Sequence, residues 1–176
     1  LALYPQLGDR LGEANVQKAL GDLALREDDL AGARPRYEAA LALYPQLGDR
    51  LGEANVQKAL GDLALREGNR ELAVTLLQKA IGQYRRISDR LGEATALNVL
   101  GKATDNPEYF EQAILLHTQI QSVYGVAVDS YYFGLSQNKL GNHKKAHELL
   151  TRAGELWRSI GLEVYAQMAE KQRAGE

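Results

Sequence analysis

Residues 1–27 read LALYPQLGDRLGEANVQKALGDLALRE, and residues 41–67 read the same 27 letters again. An unbroken identity at a spacing of 40 residues marks a chain built from repeated supersecondary units, each packing on the next. Past residue 67 the copies diverge, but anchors persist at Leu20-Gly21, Leu60-Gly61 and Leu100-Gly101, followed by Ala33, Ala73 and Ala113. A fourth unit, displaced by 33 residues from the third, carries Phe133-Gly134, Ala146, Leu150 and Ala153.

Apolar residues recur at steps of three and four, and nothing alternates as a strand would, so each unit reads as two helices. Leu51, Ala54, Leu60, Leu63 and Ala64 line one helix; Leu72, Ala73, Leu76, Leu77, Ala80, Ile81 and Tyr84 line the next. Glu67-Gly68-Asn69 ends the first with a residue suited to left-handed backbone and offers a side-chain cap to the second. Asp9, Asp49 and Asp89 are expected at the starts of first helices, where a carboxylate accepts orphan backbone N–H groups. Gly21, Gly61, Gly101 and Gly134 leave room where paired helices cross. Pro45 is expected to end or kink a second helix, and Pro35 to cost one a hydrogen bond. Asp105-Asn106-Pro107 closes the third unit's first helix early and starts its second at Pro107. Residues after Gly161, with Leu162, Tyr165, Met168 and Ala169 on one side, read as a capping helix.

Leu20, Gly21, Ala33, Tyr37, Ala40 and Pro45 carry a pattern that resembles the tetratricopeptide repeat. The 40-residue unit with its Gly48-Asp49-Arg50 joint is similar to the long-repeat subclass of spindle-orientation adaptors, kinesin light chains and bacterial signalling ATPases. The sequence departs from the pattern at Ala24, Ala64 and Thr104, where an aromatic is usual, and at His117 and Ile120, which stand where Tyr37 and Ala40 stood. The resemblance implies an all-α, right-handed superhelical solenoid of antiparallel helix hairpins. The expected division is a truncated tail at 1–8, repeats at 9–48, 49–88, 89–124 and 125–161, and a cap with tail at 162–176. Starting in the tail of a second helix, the chain reads as a fragment of a larger signalling or regulatory protein, and the 27-residue identity as recent duplication or consensus construction.

Composition excludes more than it selects. With 45% hydrophobic residues the 176-residue chain can bury a core. Its 21 basic and 23 acidic residues are interleaved, so neither nucleic acid nor an anionic membrane is indicated as a partner. No apolar run reaches the ~20 residues of a membrane helix. The absence of cysteine removes thiol chemistry and the common zinc sites, and fits the cytoplasm. No spacing assembles a nucleophile, a base or a cofactor site, so neither an enzyme nor a cofactor is expected. Gly101-Lys102 lacks the flanking residues of a phosphate loop. His143 and His147 stand one helical turn apart without a third ligand, among Lys144, Lys145 and Glu148, so no metal is expected. His117 reads as a partly buried packing residue.

Function is therefore sought in the groove that the first helices of related repeats line. The resemblance places there Asn15, Lys18, Asp22, Leu25 and Arg26; Asn55, Lys58, Asp62, Leu65 and Arg66; Thr95, Asn98, Lys102 and Asp105; and Val128, Tyr131, Leu135, Asn138 and Lys139. Polar groups there suit a peptide backbone, and Tyr131 a rigid anchor. The same residues also read as surface pairs, Lys18 with Asp22 and Lys58 with Asp62, and as helix-end cations, Arg26 and Arg66. The resemblance implies a protein-interaction scaffold holding a peptide or helix of a protein partner; the alternative is a structural or self-assembling array without a dedicated ligand. An open face on the first hairpin, including Leu11, Leu20 and Leu23, is expected to favour self-association through the N-terminal end.

Overall fold

A helix stops where its backbone turns left-handed and the next one starts where a side chain caps it, and this pair of events recurs at every joint of the first unit. The computed structural model describes residues 7–174, with side chains from Arg10 onward. The chain divides into two units, one reaching Asp89 and one starting at Arg90. The first holds α1 (Leu7–Arg26), α2 (Leu30–Leu47), α3 (Arg50–Arg66) and α4 (Arg70–Ile87). Helix α1 pairs with α2 and α3 with α4, while α2 stacks on α3. Gly48 ends α2 at φ +70°, and Asp49 Oδ1 then accepts from Gly52 N at 2.8 Å to start α3. Gly68, at φ +81°, and Asn69 Oδ1, accepting from Leu72 N at 3.1 Å, do the same between α3 and α4. Asp9 falls inside α1, ahead of which no cap is described; its side chain and residues 1–6 of the tail expected at 1–8 lie outside the described residues, while Leu7 and Gly8 of that tail belong to α1.

Helix α2 runs through both prolines to Leu47, so the break expected at Pro45 falls at Gly48. Nothing in the described contacts offsets the N–H that Pro35 lacks. Its seam of Ala33, Tyr37, Ala40 and Tyr44 is buried and shares one cluster with Ala14 of α1 and Val56, Leu60 and Leu63 of α3. The anchoring glycines act as expected: a Cβ at Gly21 would stand 2.7 Å from the Tyr37 ring, and one at Gly61 would stand 2.7 Å from Leu77 Cγ.

The second unit holds α5 (Arg90–Thr104), α6 (Pro107–Gln119), α7 (Val123–Lys139), α8 (His143–Ser159) and α9 (Glu163–Ala174). Pro107 is the first residue of α6, and Asn106 Oδ1 accepts from Glu108 N at 3.0 Å, as the Asp105-Asn106-Pro107 signal predicts. The alignment of Ala113 with Ala33 and Ala73 does not hold. A Cβ at Gly101 would meet the ring of Phe110, nine residues on, whereas Gly61 faces Leu77 and Gly134 faces Leu150, each sixteen on. The hairpin is shorter by seven residues, about two helical turns. Phe110, Ala113 and His117 thus take the places of Leu77, Ala80 and Tyr84, and the third unit has a 33-residue period into the fourth. Phe110 stacks on Phe133 at 5.2 Å between centroids. The final segment is the helix expected after Gly161: α9 packs on α8 and buries Ala166 and Ala169 in the cluster that holds Trp157.

Candidate peptide-binding cleft

Within the first unit, α1 and α3 lie side by side and present the same residues at the same positions. Between them is a cleft of about 370 Å³ lined by Asn15, Lys18, Asp22, Tyr44, Asp49 and Asn55. Tyr44 of α2 reaches into it, and Tyr84 of α4 makes the matching bond to α3. Tyr44 Oη donates to Asn15 Oδ1 at 2.8 Å, and Tyr84 Oη donates to Asn55 Oδ1 at 2.7 Å. A carbonyl oxygen fixed as acceptor turns the amide nitrogen away, and no described residue bonds Asn15 Nδ2 or Asn55 Nδ2. Burial pushes the Tyr84 hydroxyl well above its ordinary range, so it stays a donor at neutral pH.

The charged residues are largely paired. Lys18 Nζ lies 2.7 Å from Asp22 Oδ2, while Asp22 Oδ1 accepts from Tyr37 Oη at 2.9 Å. Lys58 is half-buried, and its amine is pushed below the ordinary lysine range, first by burial and then by the Lys18 charge. Asp62 pairs with Arg66 at 3.3 Å, and Arg66 Nη1 donates to Leu25 O at 3.1 Å, crossing to the last turn of α1. That is the helix-end role weighed for Arg66; Arg26 is exposed.

In the second unit several expected groove residues are elsewhere. Asn98 is buried, because its Nδ2 donates to Asp129 Oδ1 at 2.8 Å. Tyr131 is buried as well, tilted against Trp157 at 5.4 Å and edge-on to Tyr132 at 5.3 Å, so it is a core residue and not an exposed anchor. Lys102 Nζ sits 4.5 Å above the Tyr132 ring. Lys139 pairs with Asp105. Asn138 is half-buried with Oδ1 3.4 Å from His143 Nδ1. His143 and His147 are exposed, and among the described residues no group of three or more His, Asp or Glu is placed to hold a metal ion. His117 is buried more completely than expected, with Nδ1 2.6 Å from Asp129 Oδ2.

Sequence reasoning missed the three tyrosine hydroxyls. The signal was present, since Tyr44 follows Asn15 and Tyr84 follows Asn55 by the same 29 residues. It also missed Asp129, whose lone carboxylate in an apolar helix was a cue to a buried polar partner.

Paired helices, small residues at their crossings and polar side chains repeated along the first helices define a helical-repeat protein. Residues 12–86 match the tetratricopeptide repeat family. That stretch, under half of the chain, is what is similar to tetratricopeptide repeats. Repeats of this family generally serve as protein-interaction scaffolds and are typically non-catalytic. Two crystal structures are similar in fold. BtubC (BKLC) from P. vanneervenii has a TM-score of 0.66 at 15% identity, over 99% of this chain and 90% of its own. MamA protein has a TM-score of 0.51 at 21% identity, over 92% and 90%. A comparison with curated proteins gives no match. No described helix is long and apolar enough to cross a membrane.

Proposed function

We propose that the chain is a protein-interaction scaffold whose first unit binds an extended peptide or helix of a protein partner in the cleft between α1 and α3. The observation that carries this reading is the pair Asn15 and Asn55, each held through Oδ1 by a tyrosine and each with Nδ2 unengaged by any described residue. Two such donors at repeat-related positions suit successive main-chain carbonyls, a recognition that is tolerant of side chains. Lys18 neutralises Asp22, which leaves Asp49 as negative charge beside them and favours a peptide interior or a basic side chain over a terminal carboxylate. The cysteine-free composition fits a cytoplasmic setting.

A phage-displayed library of unstructured peptides, selected against the chain, tests the reading. Replacing Asn55 and Lys58 together by alanine should weaken the selected peptides at least about ten-fold, or 1.4 kcal/mol, while the helical signal is kept. Selection that yields no saturable binder, or binders indifferent to the double substitution, favours the alternative of a structural array.

A further inference from the structure

The register set by the crossing glycines lets equivalent positions of the hairpins be compared. Arg50 of α3 corresponds to Arg10, Arg90 and Val123, and Arg86 of α4 corresponds to Gln46, Gln119 and Ser159. Two of these hairpins satisfy their arginine internally. Arg10 Nη2 donates to Gln46 Oε1 at 2.7 Å, and Arg90 Nη1 donates to Gln119 Oε1 at 3.4 Å. Between α3 and α4 the acceptor is replaced by a second arginine, and no described residue bonds the guanidinium of Arg50 or of Arg86. One turn before Arg86, Gln83 stands where the other hairpins have Leu43, Leu116 and Leu156. Its Oε1 is buried and accepts no hydrogen bond from any described residue. The two departures meet at one place, since Arg50, Glu53, Gln83 and Arg86 line a pocket of about 290 Å³.

Two guanidinium groups without a protein acceptor favour an oxoanion from outside, which both can hold through charge-assisted hydrogen bonds. Glu53 limits its charge. One Glu53 oxygen is held by Gln57 Nε2 at 3.0 Å, and one carboxylate against two guanidinium groups leaves the lining with a single net positive charge. That matches a carboxylate better than a phosphate near two negative charges. The orphan Gln83 oxygen needs a donor as well. An acidic residue of a peptide supplies both groups, a carboxylate and a main-chain N–H. The pocket is also below the roughly 300–1,000 Å³ of small-molecule sites and has no apolar side chain in its lining, which fits the end of a side chain and not a cofactor. We propose that Arg50, Gln83 and Arg86 form a carboxylate site for an acidic residue of a protein partner, with the guanidinium groups on the carboxylate and Gln83 Oε1 accepting the N–H. It shares no lining residue with the cleft between α1 and α3, so either site can fail without the other.

The probe is N-acetyl-aspartate N-methylamide, titrated into the full chain at constant ionic strength, with arginine Nε–Hε resonances assigned by single substitutions. The Arg50 and Arg86 resonances should shift together and saturate, while those of Arg10 and Arg90, already bonded to glutamines, stay in place. Gln83→Leu with Arg86→Gln installs the side chains that the first and third hairpins carry at these positions, so the variant should keep its circular-dichroism spectrum. Its Kd for the probe should rise at least about ten-fold. The asparagine analogue of the probe, which lacks the charge, should bind at least about ten-fold more weakly to the parent chain. Absence of saturation, equal affinity of the double variant, or equal binding of the asparagine analogue overturns the proposal. So does tighter binding of inorganic phosphate at the same two arginines, since the site is then one for phosphate.

Discussion

Asp129 Oδ2 lies 2.6 Å from His117 Nδ1, and both side chains are buried where the earlier repeats place apolar or tyrosine side chains. Burial pushes the Asp129 carboxyl above its ordinary range, opposed by the hydrogen bonds from His117 and Asn98. A carboxyl raised by folding contributes its stability in full at pH below its unfolded value and loses it as pH rises through the folded one. Asp129→Asn removes that titration. The variant should gain on the parent chain as pH rises above the ordinary carboxylate range, read as the difference in urea midpoints. A difference that narrows as pH rises would mean that the fold favours the Asp129 carboxylate.

The duplicated sequence supplies its own control for core packing. Leu63→Ala should cost about 2–5 kcal/mol, because the removed atoms leave a cavity among α1, α2 and α3. Leu23→Ala, in the same local sequence, should change stability by less than about 0.5 kcal/mol. Denaturant titration of the two variants checks this, and equal losses would show that α1 is covered as α3 is.

Glycine at the helix crossings gives a second matched pair. A Cβ at Gly52 would stand 2.4 Å from the Tyr44 ring, while one at Gly12 meets nothing within 4 Å. Gly52→Ala should therefore destabilise by about 1–3 kcal/mol through overpacking. Gly12→Ala should be neutral or stabilising by up to about 1 kcal/mol, since alanine is the better helix former. Gly61→Leu should behave like Gly52→Ala, because Leu77 fills the space beside it. Thermal unfolding orders the three.

Asp28 turns left-handed at φ +61° in the joint where the second copy has Gly68 at φ +81°. Asp28→Gly should raise the denaturant midpoint, by up to about 1 kcal/mol, because glycine adopts this backbone without the side-chain penalty. A lowered midpoint would place the dominant effect in the greater freedom of the unfolded chain.

The hairpins were legible because their signals are local and repeated. Gly68-Asn69, Asp49 and Pro107 each act at the joint where they stand, through backbone freedom or a cap three residues long. The third unit was misaligned for the opposite reason. Ala113 matches Ala73 in the 40-residue register and Ala80 in the 33-residue one, and only the packing of Phe110 on Gly101 chooses between them. In the proposed cleft, Asn15 and Asn55 were legible by position but not by bonding, because the tyrosines that orient them come from the other helix of the hairpin. Tyr131 and Asn98 failed because outward positions on a first helix become core once Trp157 or Asp129 arrives from elsewhere in the chain.

The central claim, that Asn15 and Asn55 present their amide nitrogens to a bound peptide, is tested most directly by side-chain amide resonances. A peptide from the library selection is titrated into 15N-labelled chain, with Asn assignments made by single substitutions. The account predicts that the Asn15 and Asn55 Nδ2 resonances shift together and saturate with the peptide, while Asn142, whose Nδ2 already donates to Gln137 Oε1 at 2.9 Å, stays in place. Saturable binding that leaves the Asn15 and Asn55 resonances unmoved would contradict it.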